Sequence, residues 1–162
     1  MNKKSQINIF DLFAALAITV ILFTAIILAW NKFSISLNEK TKEQELLSRA
    51  YQISDILLTS QGNPSNWEDY NSVSINSLGL AFDDRIISSR KLSKFVQLDY
   101  NNDIKRLLKI PDNNIFFNFT FINKTYITHL GGPVPTDRKV IFITRLIQYN
   151  ETVAKMEMAL WE

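Results

Sequence analysis

Residues 12–30 read LFAALAITVILFTAIILAW, a run of nineteen residues without a charged side chain. As an α-helix rising 1.5 Å per residue, the run spans about 28 Å, close to the roughly 30 Å hydrocarbon core of a bilayer. Its two polar side chains, Thr19 and Thr24, can bond to carbonyls of the preceding helical turn, which lowers their cost in lipid. Trp30 stands where an interfacial aromatic side chain belongs. The run predicts a transmembrane helix, since a soluble core helix this long and apolar on every face is uncommon.

The segment before this run is a basic leader, residues 1–11, which contains Lys3 and Lys4. A cleaved secretory signal also begins with lysines, but its apolar core is usually 7–15 residues long and ends in a small-x-small cleavage pattern, which is missing here. We therefore expect the helix to be retained as a single-pass anchor in the cell membrane.

The orientation of the anchor follows from the sequons, because lysines stand on both sides of the span and their count is nearly tied. Three Asn-x-Thr sequons predict glycosylation sites: Asn118, Asn123 and Asn150. Glycosylation of these asparagines implies that residues 62–162 form an extracytoplasmic domain.

The composition excludes several kinds of chemistry. The 162 residues include no cysteine and one histidine, His129, and the net charge is +2. The sequence contains no cluster of basic residues interleaved with aromatic residues, so it does not predict a nucleic-acid partner. Asp99-Tyr-Asn-Asn-Asp103 begins like a calcium loop, but Ile104 and Ile110 replace the required Gly and Glu, so helix capping explains this run better. We predict no enzyme activity, no cofactor and no metal site.

Residues 31–61 are predicted to continue the helix with one apolar face. The residues at helical spacing on this face are Leu46, Ala50, Ile53 and Leu57. Gly62 and Pro64 follow, which is typical of the end of a helix. Two short helices are expected later, over residues 86–96 with Asp84 as cap and over residues 103–109 with Asn101 or Asn102 as cap.

The C-terminal half is predicted to form a small antiparallel sheet. Its strands are expected at residues 115–122, 126–130, 140–149 and 152–161. Phe117 and Phe119 share one face of the first strand, and Asn150-Glu151 is a tight turn before the last. The predicted fold is therefore α+β: a long N-terminal helix, transmembrane and then amphipathic, followed by an antiparallel sheet domain with short helices.

Residues 3–12, KKSQINIFDL, resemble the class III signal peptides of archaeal pilin-like proteins. Such leaders are basic and short, and a prepilin-type peptidase cuts them just before the apolar helix. The resemblance implies a cut after Ser5, which makes Asp11 the sixth mature residue, or after Gln6, which makes it the fifth, the position that the family prefers. It also implies that Asp11 pairs with the free amine of a neighbouring subunit and sets the filament register. The other interpretation is that Asp11 lies at the membrane interface or caps the helix.

Three later features are also similar to archaeal pilin-like surface proteins. They are GNPSNW at residues 62–67, LGLA at residues 78–81, and a final hairpin from Arg145 to Trp161. The resemblance implies a type IV pilin-like fold and a structural or adhesive subunit whose partners are the membrane and copies of itself or related subunits. The alternative is a single-pass surface protein that does not polymerise and carries a ligand- or partner-binding domain.

Overall fold

In a computed structural model, the chain is α+β: a long apolar N-terminal helix precedes a curled mixed sheet with short helices. The structure describes the backbone of residues 3–123 and 125–162, and the side chains of residues 9–123 and 125–162. The chain divides into two compact units, one ending at Gln44 and the other running from Glu45 to Glu162. The second unit holds the sheet and the last part of the helix.

The long helix, α1, spans Lys3–Thr59 and contains neither Pro nor Gly. Within the second unit, its predicted apolar face is confirmed, because Leu46, Ala50, Ile53 and Leu57 are all buried. The helix ends two residues earlier than predicted. The reason is that carbonyls of its last turn bond to a later segment: the Leu57 oxygen accepts from the Leu80 N–H at 2.8 Å.

Six strands form one sheet in the order β1-β2-β5-β6-β3-β4. Their bounds are β1 Ala81–Asp83, β2 Ile86–Ile87, β3 Asn114–Phe121, β4 Tyr126–Leu130, β5 Val140–Tyr149 and β6 Thr152–Trp161. Neighbours are antiparallel except β2 and β5, which run parallel. The four strands that the sequence predicts, β3 to β6, pair antiparallel as expected, whereas the unpredicted pairing of β2 with β5 makes the sheet mixed. Strands as short as β1 and β2 show no alternation, and their pairing depends on residues far along the chain.

The short helices differ from their predicted starts. Helix α2 spans Ser89–Gln97 and is capped by Ser88, whose oxygen accepts from the Lys91 N–H, so the predicted cap at Asp84 is wrong. A π-helical turn at Tyr100–Ile104 and helix α3, Lys105–Leu107, follow. Asp99 caps this pair by accepting from the Asn102 N–H at 2.6 Å.

The core lies between one face of the sheet and the two helices that cover it. Phe95 of α2 meets Phe117 of β3 edge to face, with ring centroids 5.4 Å apart. Tyr51 of α1 lies under the guanidinium of Arg145 of β5, 5.2 Å from the ring centroid. Helix α1 therefore packs toward β5, and α2 packs toward β3.

Candidate membrane span and surface sites

Helix α1 contains the candidate span. From Ile9 onward it holds an 18-residue window with a mean hydropathy of 2.8, and none of that window is buried in the protein. The hydroxyls of Thr19 and Thr24 donate to the carbonyls of Ala15 and Val20, both at 2.8 Å, as the sequence predicts. By length and composition, this is the one helix among the described residues that is able to cross a bilayer.

The predicted assembly residue, Asp11, lies in α1 with an exposed side chain, and it is the only charged residue from Ile9 to Asn31. At the other end of the apolar run, the ring of Trp30 lies 6.4 Å from that of Phe33. Ser5 and Gln6, the predicted processing residues, lie outside the residues whose side chains are described. The prediction about cleavage therefore stays a prediction.

The three sequon asparagines occupy different environments. Asn150 is exposed at the tip of the β5–β6 hairpin, with φ of 48°. Asn123 is exposed in the turn between β3 and β4, where its side-chain oxygen accepts from the Thr125 N–H at 3.0 Å. Asn118 is half-buried within β3, and its amide donates to the Glu157 carboxylate at 2.9 Å. The side-chain nitrogen of Asn118, to which a glycan would be attached, is thus already hydrogen-bonded. The Asn150 side chain, in contrast, is exposed to solvent.

Glu157 is the centre of a small polar network on the outer face of the sheet. It accepts from the Lys155 ammonium at 2.6 Å as well as from Asn118. The Lys155 hydrogen bond, aided by Asn118 and opposed by partial burial, holds the pKa of Glu157 below its usual value. Next to this network lies a cavity of about 230 Å³ with an apolar wall that includes Phe116, Val134 and Phe142.

A second cavity, of about 220 Å³, lies between the end of α1 and β5. Arg85, Arg145 and Asp55 are its charged lining residues, and the rest of the lining consists of Leu58, Thr59, Thr144 and Leu146. With two arginines and one aspartate among its lining residues, the cavity has a net positive charge, which favours an anionic group such as a carboxylate.

No side-chain cluster among the described residues suits a metal ion, since none contains three His, Cys, Asp or Glu residues close together. His129 lies on β4, where its ring nitrogen bonds to the Tyr126 hydroxyl. The opening residue of the rejected calcium loop, Asp99, is used as a helix cap. These contacts give His129 and Asp99 structural partners.

The junction after α1 brings together residues whose contacts the sequence did not reveal. The Trp67 indole N–H donates to the Gly79 carbonyl at 2.7 Å, so the GNPSNW and LGLA segments meet. The buried ammonium of Lys91 donates to the carbonyls of Gln61 at 2.7 Å and Ala81 at 3.2 Å. Burial lowers the pKa of Lys91, and the nearby Glu68 carboxylate partly opposes that shift. The one sequence feature that could have indicated the burial of Lys91 is its position on the same helical face as Phe95.

The chain matches no known protein-family model, no curated protein and no solved structure. The function therefore rests on the span, the domain and their chemistry.

Proposed function

We propose that this chain is a single-pass membrane protein whose residues 12–30 cross the bilayer and whose sheet domain lies outside the cell. The observation that carries the proposal is the run of nineteen uncharged residues of which none is buried in the protein. Transferring a Leu, Ile or Phe side chain completely from water to an apolar environment is favourable by about 1.5–3 kcal/mol. A lipid environment supplies that transfer along the whole run.

The orientation rests on the sequons. All three lie after the span, and Asn123 and Asn150 are exposed. An extracytoplasmic domain makes both available to a glycosylation machinery, and the absence of cysteine means that this domain relies on its core alone.

Membrane extraction tests the anchor. The full chain is expected to stay in the membrane pellet after carbonate treatment, because residues 12–30 are integrated in the bilayer. A matched chain without residues 1–44 should appear in the soluble fraction. Recovery of the full chain in that fraction without detergent contradicts the anchor.

Within this class, we favour a pilin-like structural or adhesive subunit. The supporting features are the basic leader, the acidic residue at the start of the apolar run and the α+β domain that follows. Removal of the leader by a prepilin-type peptidase creates an amine that a neighbouring subunit can bring to Asp11. At an effective dielectric constant near 20, opposite charges 4 Å apart attract by about 4 kcal/mol before desolvation, enough to bias the register of packed helices.

Substitution of Asp11 tests assembly. Asp11→Asn is expected to reduce filaments or complexes while membrane insertion and the melting temperature of the domain stay unchanged, and Asp11→Lys is expected to reduce assembly further. Glu39→Gln is the matched control, since Glu39 is an exposed acid of α1 beyond the apolar run. Mass spectrometry of the mature N-terminus determines whether the cut follows Ser5 or Gln6. Unchanged assembly of both Asp11 variants contradicts the pilin-like role of this residue.

One observation favours the alternative, a surface protein that does not polymerise and binds a ligand. It is the cavity lined by Arg85 and Arg145, which is suited to a carboxylate. Under this alternative, the Asp11 variants behave as the parent does, and Arg145→Gln abolishes binding of a carboxylate-bearing ligand. Measurements of assembly and of ligand binding on the Asp11 and Arg145 variants therefore distinguish the two proposed functions.

A further inference from the structure

The register of the sheet places two phenyl rings on either side of a small residue on the outer face. Phe142 of β5 and Phe116 of β3 both pair with Ala159 of β6, the strand between them. Directly opposed residues of antiparallel strands point to the same face, so the two rings flank the Ala159 methyl group. These residues and Val134 line the cavity of about 230 Å³ on this face. We call this cavity the phenyl slot.

The next row of paired residues gives the phenyl slot a polar end. Thr144, Glu157 and Asn118 lie opposite one another on β5, β6 and β3, and all three line the cavity. The Lys155 ammonium donates to the Glu157 carboxylate, so the positive charge offsets the negative one. An uncharged ligand with an apolar surface and several hydroxyl groups matches this lining.

Asn118, at the polar end, is the first residue of the sequon Asn118-Phe119-Thr120. Phe116, two residues earlier in the same strand, points to the same face, since strand side chains alternate. The amide nitrogen of Asn118 carries two hydrogens, and one of them is donated to the Glu157 carboxylate at 2.9 Å. Replacement of the other hydrogen by a sugar leaves that bond intact. A sugar on Asn118 is therefore attached at the polar end of the phenyl slot.

Thr120, the third residue of the sequon, has a hydroxyl that the folded domain does not use. Its side chain is 9% exposed, and its oxygen has no hydrogen-bond partner among the described residues. A buried hydroxyl without a partner costs free energy, and valine has a similar shape without that cost. Stability therefore does not explain a threonine here, whereas a sequon requires a hydroxyl at this position.

We propose that Asn118 is N-glycosylated and that the first sugar of its glycan occupies the phenyl slot. The proposal rests on the outside location of the domain proposed above. The reaction joins the Asn118 nitrogen to the anomeric carbon of a sugar carried on a lipid phosphate. The bond from that carbon to the phosphate oxygen breaks, the phosphate leaves with the electron pair, and the amide gives one proton to a base of the transferase. The transfer precedes the pairing of β3, because folding buries the Thr120 hydroxyl that the enzyme recognises.

A pyranose ring matches both parts of the phenyl slot. Its C–H groups pack against the phenyl rings of Phe116 and Phe142, and Phe142 is 68% exposed without it. Its hydroxyls bond to the Thr144 hydroxyl and to the Glu157 carboxylate. The first sugar therefore covers apolar surface that water otherwise reaches, and it stabilises the folded domain.

Occupancy of the sequon is the first test. The full chain is produced in a eukaryotic host that N-glycosylates exported proteins, with Asn123→Gln and Asn150→Gln, so that Asn118 is the remaining sequon asparagine. Mass spectrometry of the detergent-purified protein is expected to show a glycan on most molecules. Thr120→Val is expected to carry none, and Thr120→Ser, which keeps the hydroxyl, is expected to keep the glycan.

Thermal melting tests the position of the sugar. An endoglycosidase trims the glycan to its first sugar, and this form is compared with the same protein from a host that does not glycosylate. The single sugar is expected to raise the melting temperature by at least about 3 °C, because it covers phenyl surface. Phe142→Ala should remove at least about half of this increase. Leu146→Ala is the matched control and should leave it unchanged, since Leu146 is 63% exposed on the same strand and face but does not line the cavity.

A chain that keeps only the Asn150 sequon separates this inference from the proposed orientation. A glycan on Asn150 but not on Asn118 overturns the inference and leaves the outside location standing. A glycan on neither asparagine contradicts the outside location and, with it, the inference. A sugar on Asn118 that does not change the melting temperature, or that changes it equally in the parent and in Phe142→Ala, lies outside the phenyl slot and overturns the inference.

Discussion

Gly79 lies against the backbone of Ser60 and Gly62, just after the end of α1. A Cβ atom on Gly79 would lie 2.2 Å from the Ser60 oxygen and 2.4 Å from the Gly62 nitrogen, both of them backbone atoms. Neither atom can move without displacing the junction after α1, so position 79 has no room for a side chain.

Gly79→Ala is therefore expected to lower the free energy of unfolding by about 3 kcal/mol. The matched control is Gly132→Ala, where a Cβ meets nothing within 4 Å. That variant should stay within about 0.5 kcal/mol of the parent. Thermal melting of both variants measures the difference, and equal melting temperatures contradict the packing described at Gly79.

Glu157 predicts a dependence of stability on pH. Its pKa is lowered in the folded protein, first by the Lys155 hydrogen bond, so its contribution is present above the unfolded pKa, near 4.5. That contribution is lost as the pH falls through the lower folded pKa. The stability advantage of the parent over Glu157→Gln should therefore shrink between about pH 5 and pH 3.

Melting curves across this pH range check the prediction. Glu151→Gln is the control, since Glu151 is an exposed acid in the adjacent hairpin turn. A difference between the parent and Glu157→Gln that does not change with pH would show that the network does not stabilise the charged carboxylate.

The β5–β6 hairpin is the element in which local sequence and structure agree best. Asn150 and Glu151 form its two-residue turn and have φ of 48° and 62°. Positive φ at both positions is the requirement of a type I′ turn, which favours Asn at the first position and Gly at the second. Glu151 is therefore the strained residue of the pair.

Glu151→Gly is expected to stabilise the domain by about 0.5–1 kcal/mol, because glycine adopts positive φ without steric cost. The substitution keeps the Asn150-x-Thr sequon intact. Thr152→Gly, one residue later in an extended strand, should destabilise the domain instead. Opposite shifts of the two melting temperatures confirm the turn, and shifts of the same sign contradict it.

The elements that could be predicted from the sequence are those with enough residues to show a period. The bounds of β4, β5 and β6 match the predicted strands, and β3 differs by one residue at each end. The predicted start of α2 at Ile86 is wrong, because the apolar pair Ile86 and Ile87 is compatible with either a helix or a strand. Pairing with Gln148 of β5 makes this segment a strand, and no local sequence pattern reveals that partner.

The contacts in the candidate sites also divide into local ones, which the sequence predicts, and long-range ones, which it does not. The back-bonds of Thr19 and Thr24 were predictable, because they depend only on residues four positions away. The contacts of Trp67 and Lys91 were not, because each joins segments at least ten residues apart. The cavity lined by Arg85 and Arg145 depends on the β2–β5 pairing, so the sequence did not predict it either.

At the scale of the whole molecule, the second compact unit begins within α1, at Glu45. The last part of the helix contributes Leu46, Ile53 and Leu57 to the core of the sheet. Removing these side chains would expose the inner face of β5 and β6, at a cost of about 1.5–3 kcal/mol for each large apolar residue.

A fragment of residues 45–162 is therefore expected to be soluble and to melt in one cooperative transition. The control fragment, residues 60–162, lacks only the helical part of the core and should fail to fold. Circular dichroism melting distinguishes the two fragments. Cooperative melting of the shorter fragment would show that the helix is not part of the core.

The end of α1 also determines how the domain responds to tension. Its last carbonyls accept from the N–H groups of Leu80 and Arg85, and carbonyls at the end of a helix point along its axis. A pull at residue 45 along that axis stretches these bonds at the same time and not one after another. The Arg85 carbonyl in turn accepts from Gln148, so the force passes directly into β5. A pull on this helix is thereby transmitted to one of the longest strands, and shear must break several bonds at once before the sheet separates from the helix.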